Sequence, residues 1–549
     1  MRYNGMNTNK SEGWSVQRKQ RTRLAVLAFF MAFWLLGLLT AGDYGPCWDE
    51  QDEMDILRMN LWEYARALHL EESAFEKRAR EGNGLTISAL TPISQSIEQD
   101  HGIAAFYPLA GVVMSESLSE NARSLWWHMG CWTLFTLGGF ALYAAGREMG
   151  IGRLFALLGP VMLLLSPRFF AQGHYNNKDI AFMALVLCLL WTALRLMRRP
   201  SLGNGLWFAL CGALAANTKV AGWALFGLCG VMALAQLALQ KRLTGRVWAV
   251  GGASLAAFVG LYALLTPALW QSPVAFVRYL VDNALAFQRW HNWVLFRGVI
   301  FKLAQQPLPW YYLPYMLLAT TPLWVLLLLA IGVVWAVRAL LSHRKDLKPL
   351  LLLLAAFLPL LFAVLTRTTV YNGWRHFYFV YGPMLLLAAC GASAFWRAAK
   401  PFSARRRMLA AGLCVCMALT GVGEITQHPH QQAYEQPLAR LLKADNEMDY
   451  WNVSVREALE ALAAQVEGSF TVAGCDLWAA DGLQKAVFTL PEALQSRFTV
   501  VEGPADYVLV NPTYARFSGY VPPDTQPLVE LLSYGRPIMT IYPEGASKP

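Results

Sequence analysis

Between Gly42 and Asp55 five carboxylates, Asp49, Glu50, Asp52, Glu53 and Asp55, crowd into seven residues. They follow an apolar run, Leu24 to Leu39, that with its flanks is long enough to cross a membrane. Acids held this close repel one another, and one kept ionised beside a hydroxyl is a general base. The plainer reading is a helix start, with Asp49 as N-cap and the other acids in a first turn favoured by the helix dipole. Spacing does not separate the two. Two more polar stretches sit at the ends of apolar runs: Ser166 to Asp179, closing on Asn177-Lys178-Asp179, and Arg367 to His376, closing on Arg375-His376. Their plainer readings are a helix N-cap at Asp179 and an interfacial Trp/Tyr anchor with a snorkelling Arg375. Lys219, between two apolar runs, and His101, in Asp100-His101-Gly102, complete the ionisable set.

These groups must be positioned by a membrane protein. Of 549 residues 56% are apolar and only 15% charged, against nearer a quarter in a soluble chain. The net charge of +10 does not signal nucleic acid, because the cations fall in short clusters between apolar runs, which is how a multi-spanning chain sets its orientation. A spanning window picks out eleven candidates, near 24–41, 125–145, 154–170, 180–197, 205–217, 220–239, 247–266, 313–338, 349–366, 377–396 and 408–423. The first has a basic lead-in but a poor cleavage site, and is read as a retained span rather than a signal peptide. The third is short and interrupted by Pro160 and Pro167. Basic clusters such as Arg195-Arg198-Arg199 and Arg405-Arg406-Arg407 fall on the even connections. The N-terminus is therefore expected in the cytoplasm and the C-terminus outside.

That topology places all the candidate chemistry on the outer face. The spanning unit is expected over 1–423, with a first outer loop (42–123) and an outer aromatic segment (267–312) that includes Trp270, Phe287, Trp290, Trp293 and Trp310. In the first loop, Ile56 to Glu81 has near-helical apolar spacing and is expected along the membrane surface. From 424 to 549 the pattern changes: a helix near 455–466 and strands near 470–473, 498–502, 507–511 and 538–542 suggest a small extracytoplasmic α/β domain. The expected fold is thus an all-α polytopic bundle with a small C-terminal α/β domain. Seven of the nine cysteines lie in apolar runs; Cys47 and Cys475 fall in watery segments, where one disulfide is open to them. No Cys/His array has zinc spacing. A transporter or lipid flippase would need ionisable groups near the midplane, and the spans carry none; a non-catalytic scaffold with a ligand-binding C-terminal domain is the other alternative.

Trp48-Asp49-Glu50 after the first span resembles the acidic motif of the polyprenol-phosphate-sugar-dependent, multi-spanning GT-C glycosyltransferases. The similar branch contains protein O-mannosyltransferases and lipid A aminoarabinose transferases. Ser166-Pro-Arg-Phe-Phe through Asp179 is similar to its third-span motif, and Gly373-Trp-Arg-His-Phe-Tyr-Phe-Val-Tyr-Gly-Pro383 to its late arginine–aromatic–proline span. His428 to Tyr434 and Asp449 to Asn452 look like elements that follow the last span in bacterial members. One departure is plain: Gly102-Ile103 follows His101 where the family often has Pro-Pro-Leu, so only His101 carries over.

The resemblance implies an inverting transfer in a bacterial cytoplasmic (inner) membrane, from an outward-facing polyprenyl-phosphate sugar, undecaprenyl in bacteria, to a hydroxyl on a protein, lipid A or glycan. In that scheme Asp49 is the general base, Glu50 orients Asp49 or the acceptor, and Asp179 holds acceptor or sugar. Lys219, Arg375, His376, Lys178 and His101 face the donor phosphate, and Arg168 is read as structural. Asp52, Glu53 and Asp55 are left as solvated acids of the following helix. No cofactor is implied with certainty; members differ in using a divalent metal, which stays open, and no metal ligands are assigned.

Overall fold

The computed structural model describes residues 6–85, 88–285, 293–401, 403–441 and 445–543. Phe287 and Trp290 lie outside the described residues. Its body is a bundle of apolar helices. Among the described residues nine are long and apolar enough to cross a membrane, and ten if one sharply bent pair counts as a single span. The sequence-based count of eleven differs at two places. Leu202–Thr218 has only 17 residues, so its length of about 25 Å stops short of a hydrocarbon core. The pair Phe155–Leu164 and Pro167–Tyr175 bends by 71°. The cause is local: Pro167 opens the second half and disfavours helical backbone at Ser166, which is extended. The span expected from 313 is also divided, since Tyr312–Thr320 ends before Pro322 and Leu323–Ser342 begins after it.

The Asp179–Arg198 helix is buried along nearly its whole length at the bundle centre. Gly138 of the neighbouring Glu120–Glu148 helix lets it come close: a Cβ there would sit 3.0 Å from the Ala184 Cα. Because the bent span delivers the chain directly to Asp179, the residues from Asn176 to Asp179 are fixed at the end of this central helix. Arg168, within the bent span, is buried and donates from Nε to the Tyr434 carbonyl at 3.0 Å.

After the Ala404–Thr426 helix the chain builds a five-stranded sheet in the order β4-β3-β5-β7-β6. Its strands are β3 (Phe470–Gly474), β4 (Phe498–Val500), β5 (Tyr507–Val510), β6 (Val529–Ser533) and β7 (Arg536–Pro543), where β1 (Trp293–Phe296) and β2 (Val299–Lys302) form a separate hairpin. β3 pairs in parallel with β4 and β5, while β7 runs antiparallel to β5 and β6. The helices Val455–Gln465 and Leu477–Phe488 bury Leu459, Leu462 and Leu483 with Val472, Leu509 and Ile541 of the sheet. The expected helix and four expected strands are present; β6, a short edge strand, was not anticipated. The β1–β2 turn has positive φ at both Arg297 and Gly298, the geometry that suits the twist of a two-residue hairpin.

Residues 427–436 and 445–454 tie this unit to the bundle. Tyr44 Oη donates to Gln431 at 2.9 Å, Gln172 Nε2 to the Tyr450 hydroxyl at 3.0 Å, and the Trp48 N–H to the Trp451 carbonyl at 3.1 Å. Tyr175 bonds Gln432, and the buried Asp449 accepts from Gln432, Ser454 and the Val453 N–H. Cys47 and Cys475 are both free.

Glu447 joins three elements, accepting from the Leu295 N–H at 3.2 Å and from Asn372 Nδ2 at 3.4 Å. Burial pushes its carboxyl up to about 8, against the opposing pull of these donors. A folded pKa above the unfolded value of about 4.3 makes the native state the better proton binder, so stability is full below that value and falls as pH rises towards 8. Glu447→Gln is expected to flatten this loss, read as melting temperature against pH from about 5 to about 8.

Candidate active site

The first loop, the end of the bent span, the 218–221 link, the 368–377 segment and the C-terminal unit enclose a cavity of about 930 Å³. Asp49, His101, Lys178, Asp179, Lys219, Arg375 and His376 all line it, although they come from five separate stretches of sequence. Glu50 does not.

Asp49 precedes the Glu50–Ala67 helix in the N-cap position, but its side chain makes no capping hydrogen bond. The helix start is held instead by main-chain bonds, Glu50 N–H to the Cys47 carbonyl and Glu53 N–H to the Asp49 carbonyl. Among the described residues the Asp49 carboxylate has no hydrogen bond or ion pair, and it is half-buried in the cavity wall. Capping therefore does not explain it. Arg375 and Tyr371 are its Coulombic neighbours.

Glu50 is fully buried and turned towards the Glu120–Glu148 helix, where its Oε2 lies 2.8 Å from His128 Nε2. The other ring nitrogen of His128 is 3.0 Å from the Ala41 carbonyl. This chain of contacts fixes where the first span ends and where the next helix begins. The geometry gives Glu50 a positioning place behind Asp49 rather than a face on the cavity.

The cations gather around Asp179. Lys219 pairs with its Oδ1, Arg375 Nη1 lies 3.4 Å from Oδ2, and Asn176 Nδ2 donates to Oδ2 at 3.1 Å. Asp179 is 2% exposed, so both its oxygens are committed to these neighbours. Burial lowers the pKa of Lys219 while Asp179 pulls it back up. The Arg375 guanidinium is sandwiched, 4.6 Å from the Trp451 ring and 5.0 Å from that of Tyr371. His376 packs edge-on against Tyr371 at 4.4 Å. Lys178 is 4.0 Å from Glu53, and His101 pairs with Glu98 at 2.7 Å. The loop carrying His101 is seated by its neighbours: Gly102 lies so close to the Asn217 carbonyl that a Cβ would not fit, and the Ala104 N–H donates to Asn217 Oδ1 at 3.0 Å. That contact accounts for glycine after His101.

No protein-family model matches the chain, and no curated protein does. Solved structures do. The chain is similar to the crystal structure of ArnT from Cupriavidus metallidurans in the apo state, with a TM-score of 0.47, 13% identity and coverage of 94% of this chain and 98% of that one. It is similar also to that organism's ArnT bound to undecaprenyl phosphate, with a TM-score of 0.46, 13% identity and coverage of 95% and 99%.

Several buried charged residues in and around the cavity are not anticipated from sequence. Glu53 and Asp55 are buried rather than solvated, because the Ala74–Arg80 helix and the segments after it pack on the Glu50–Ala67 helix, with the Asn83 N–H at Asp55 and Lys178 beside Glu53; most of that helix is covered rather than laid on a surface. Asp55 pairs with Arg58 at 2.8 Å, and burial pushes it up to about 6. Burial also raises Glu53, with Lys178 opposing. Lys485, from the Leu477–Phe488 helix, is 4% exposed and reaches into the acidic stretch, donating to the Trp48 carbonyl at 2.7 Å and pairing with Asp52 at 3.1 Å and Asp481 at 3.2 Å. Lys485→Met is expected to cost about 1.5–3 kcal/mol, the worth of hydrogen bonds to a charged group. Limited proteolysis of the 477–543 region should show it as faster cleavage.

The arrangement sets one unpaired carboxylate and a half-buried cationic cluster in the same cavity. It can take a proton at Asp49 and hold an anion at Lys219 and Arg375. Among the described residues no group of three or more His, Cys, Asp or Glu is placed to hold a metal ion.

Proposed function

We propose that the chain is an integral-membrane glycosyltransferase that moves a sugar, with inversion, from a polyprenyl-phosphate donor to an acceptor hydroxyl on the extracytoplasmic face of a bacterial cytoplasmic membrane. The observation that carries this reading is the pairing of the free Asp49 carboxylate with the Lys219–Arg375 cluster in one cavity beside the helix ends. The acceptor oxygen attacks the anomeric carbon and gives its proton to Asp49. The bond from that carbon to the phosphate oxygen breaks, and its electron pair leaves with the phosphate. Positive charge at Lys219, Arg375 and Lys178 stabilises the departing anion, with the His376 ring as a further hydrogen-bond donor. Asp179 keeps Lys219 and Arg375 charged and aimed before the donor arrives. Glu50, through His128, sets the backbone from which Asp49 projects.

The test is direct. Full-length protein in proteoliposomes, given polyprenyl-phosphate-linked sugars and a membrane extract as acceptor source, should release polyprenyl phosphate and form glycosides of inverted configuration. No release from any donor of this class, with the protein folded, would remove the proposal.

A further inference from the structure

One wall of the cavity is aromatic, and the reaction as described does not use it. Trp48, Trp293, Trp478, Tyr514 and Phe517 line it. The rings are mutually arranged: Trp478 stacks on Tyr514 at 6.0 Å and 24°, Trp293 lies 6.0 Å from Trp478, and Trp48 lies 6.2 Å from Tyr514. They form a cluster apart from the main core of the C-terminal unit. The three tryptophans are only half-buried, and among the described residues none of their indole N–H groups has a hydrogen-bond partner. A cluster built only to fill space would bury these rings and pair those donors.

From this wall we propose that the C-terminal unit supplies an acceptor subsite for a pyranose ring, so that the acceptor is a carbohydrate and the product a sugar–sugar bond. The inference rests on the transferase reading above. The C–H face of a pyranose is weakly positive and matches the negative face of an aromatic ring, while its hydroxyls can accept from the free indole N–H groups. Asp49 links the two ends of the cavity: it follows Trp48 in the chain and is a Coulombic neighbour of Arg375. A ring on the tryptophans therefore offers its hydroxyl to Asp49 while the phosphate lies with the cations. The isoprenoid tail of the donor is the poorer occupant. Trp293, Trp478, Tyr514 and Phe517 belong to elements outside every candidate span, where a hydrocarbon chain would meet water.

Saturation-transfer NMR on the full chain in nanodiscs tests this with five probes: the methyl glycosides of glucose, galactose and mannose, N-acetylserinamide and farnesyl phosphate. At least one glycoside should receive saturation on its ring protons, falling about tenfold in Trp478→Ala and only in part in Trp478→Phe. Melting curves on both variants separate a lost contact from a lost fold, and Trp293→Ala should repeat the effect from another element. Trp478-dependent saturation of the isoprenyl protons instead would assign the wall to the donor tail. Dependence seen only with N-acetylserinamide would assign it to a protein acceptor. No dependence with any probe would reduce it to packing; each of these overturns the subsite. Polyprenyl phosphate release, assayed separately, keeps the two proposals apart. Glycoside binding through Trp478 without release leaves the subsite and removes the transferase. Release with unchanged acceptor dependence in Trp478→Ala does the reverse.

Discussion

Asp49→Asn is expected to lower sugar transfer by about 10²–10⁴-fold, the usual worth of a positioned general base, while leaving the fold intact. The substitution is nearly isosteric, and the wild-type carboxylate caps nothing, so no structural bond is lost. The main-chain bond from the Glu53 N–H to the residue 49 carbonyl survives. The change in stability should stay within about 0.5 kcal/mol, as for a substitution away from any packing or capping role. Donor binding should not weaken either, because removing a negative charge near Arg375 leaves that cation freer for phosphate. The signature is thus a fall in turnover at unchanged donor affinity, with lost transition-state rather than ground-state interaction. Glu50→Gln makes the contrast. Its side chain holds His128 and not the cavity, so its defect should appear in thermal stability along with activity. Transfer by Asp49→Asn within a few-fold of wild type would mean that another group takes the proton, and the assignment of Asp49 would fall.

How far this site could be read from sequence depended on where its residues stood against the apolar runs. Asp49, Lys178, Asp179, Lys219, Arg375 and His376 were legible because each is a polar residue at the edge of a run, where burial is costly without purpose. Topology then put them on one side of the membrane. Their roles were less legible. The resemblance has Asp179 hold acceptor or sugar; in space its oxygens face Lys219 and Arg375, 40 and 196 residues further along the chain. Lys485 was invisible, since its partners Trp48 and Asp52 are more than 400 residues away and no local periodicity marks it. The burial of Glu53 and Asp55 is hidden for the same reason: the groups beside them, Lys178 at Glu53 and the Asn83 N–H at Asp55, are not neighbours in the chain. The helix count differs by one or two because hydropathy finds apolar stretches but neither the break before Pro167 nor the early end of the 17-residue helix Leu202–Thr218.

Asp179→Asn should carry the larger structural penalty. Removing this charge leaves the half-buried Lys219 and Arg375 beside each other with no anion between them, and breaking one partner of a buried pair costs up to about 3–5 kcal/mol. Restoring neutrality elsewhere should recover part of that loss, so Asp179→Asn with Lys219→Met is expected to melt above the single variant. The cationic cluster also predicts what a ligand will do. If Lys219 and Arg375 receive the donor phosphate, farnesyl phosphate brings back a negative charge to a place that has lost one. Its thermal stabilisation should then be greater in Asp179→Asn than in wild type, where Asp179 already satisfies the cations. Arg375→Met in the same background should abolish the excess. A phosphate-bearing lipid that stabilises both proteins equally would place the donor headgroup elsewhere in the cavity. Asp179, Lys219 and Arg375 would then be a structural triad, and the negative charge of the leaving group would have to be met by Lys178 and His101.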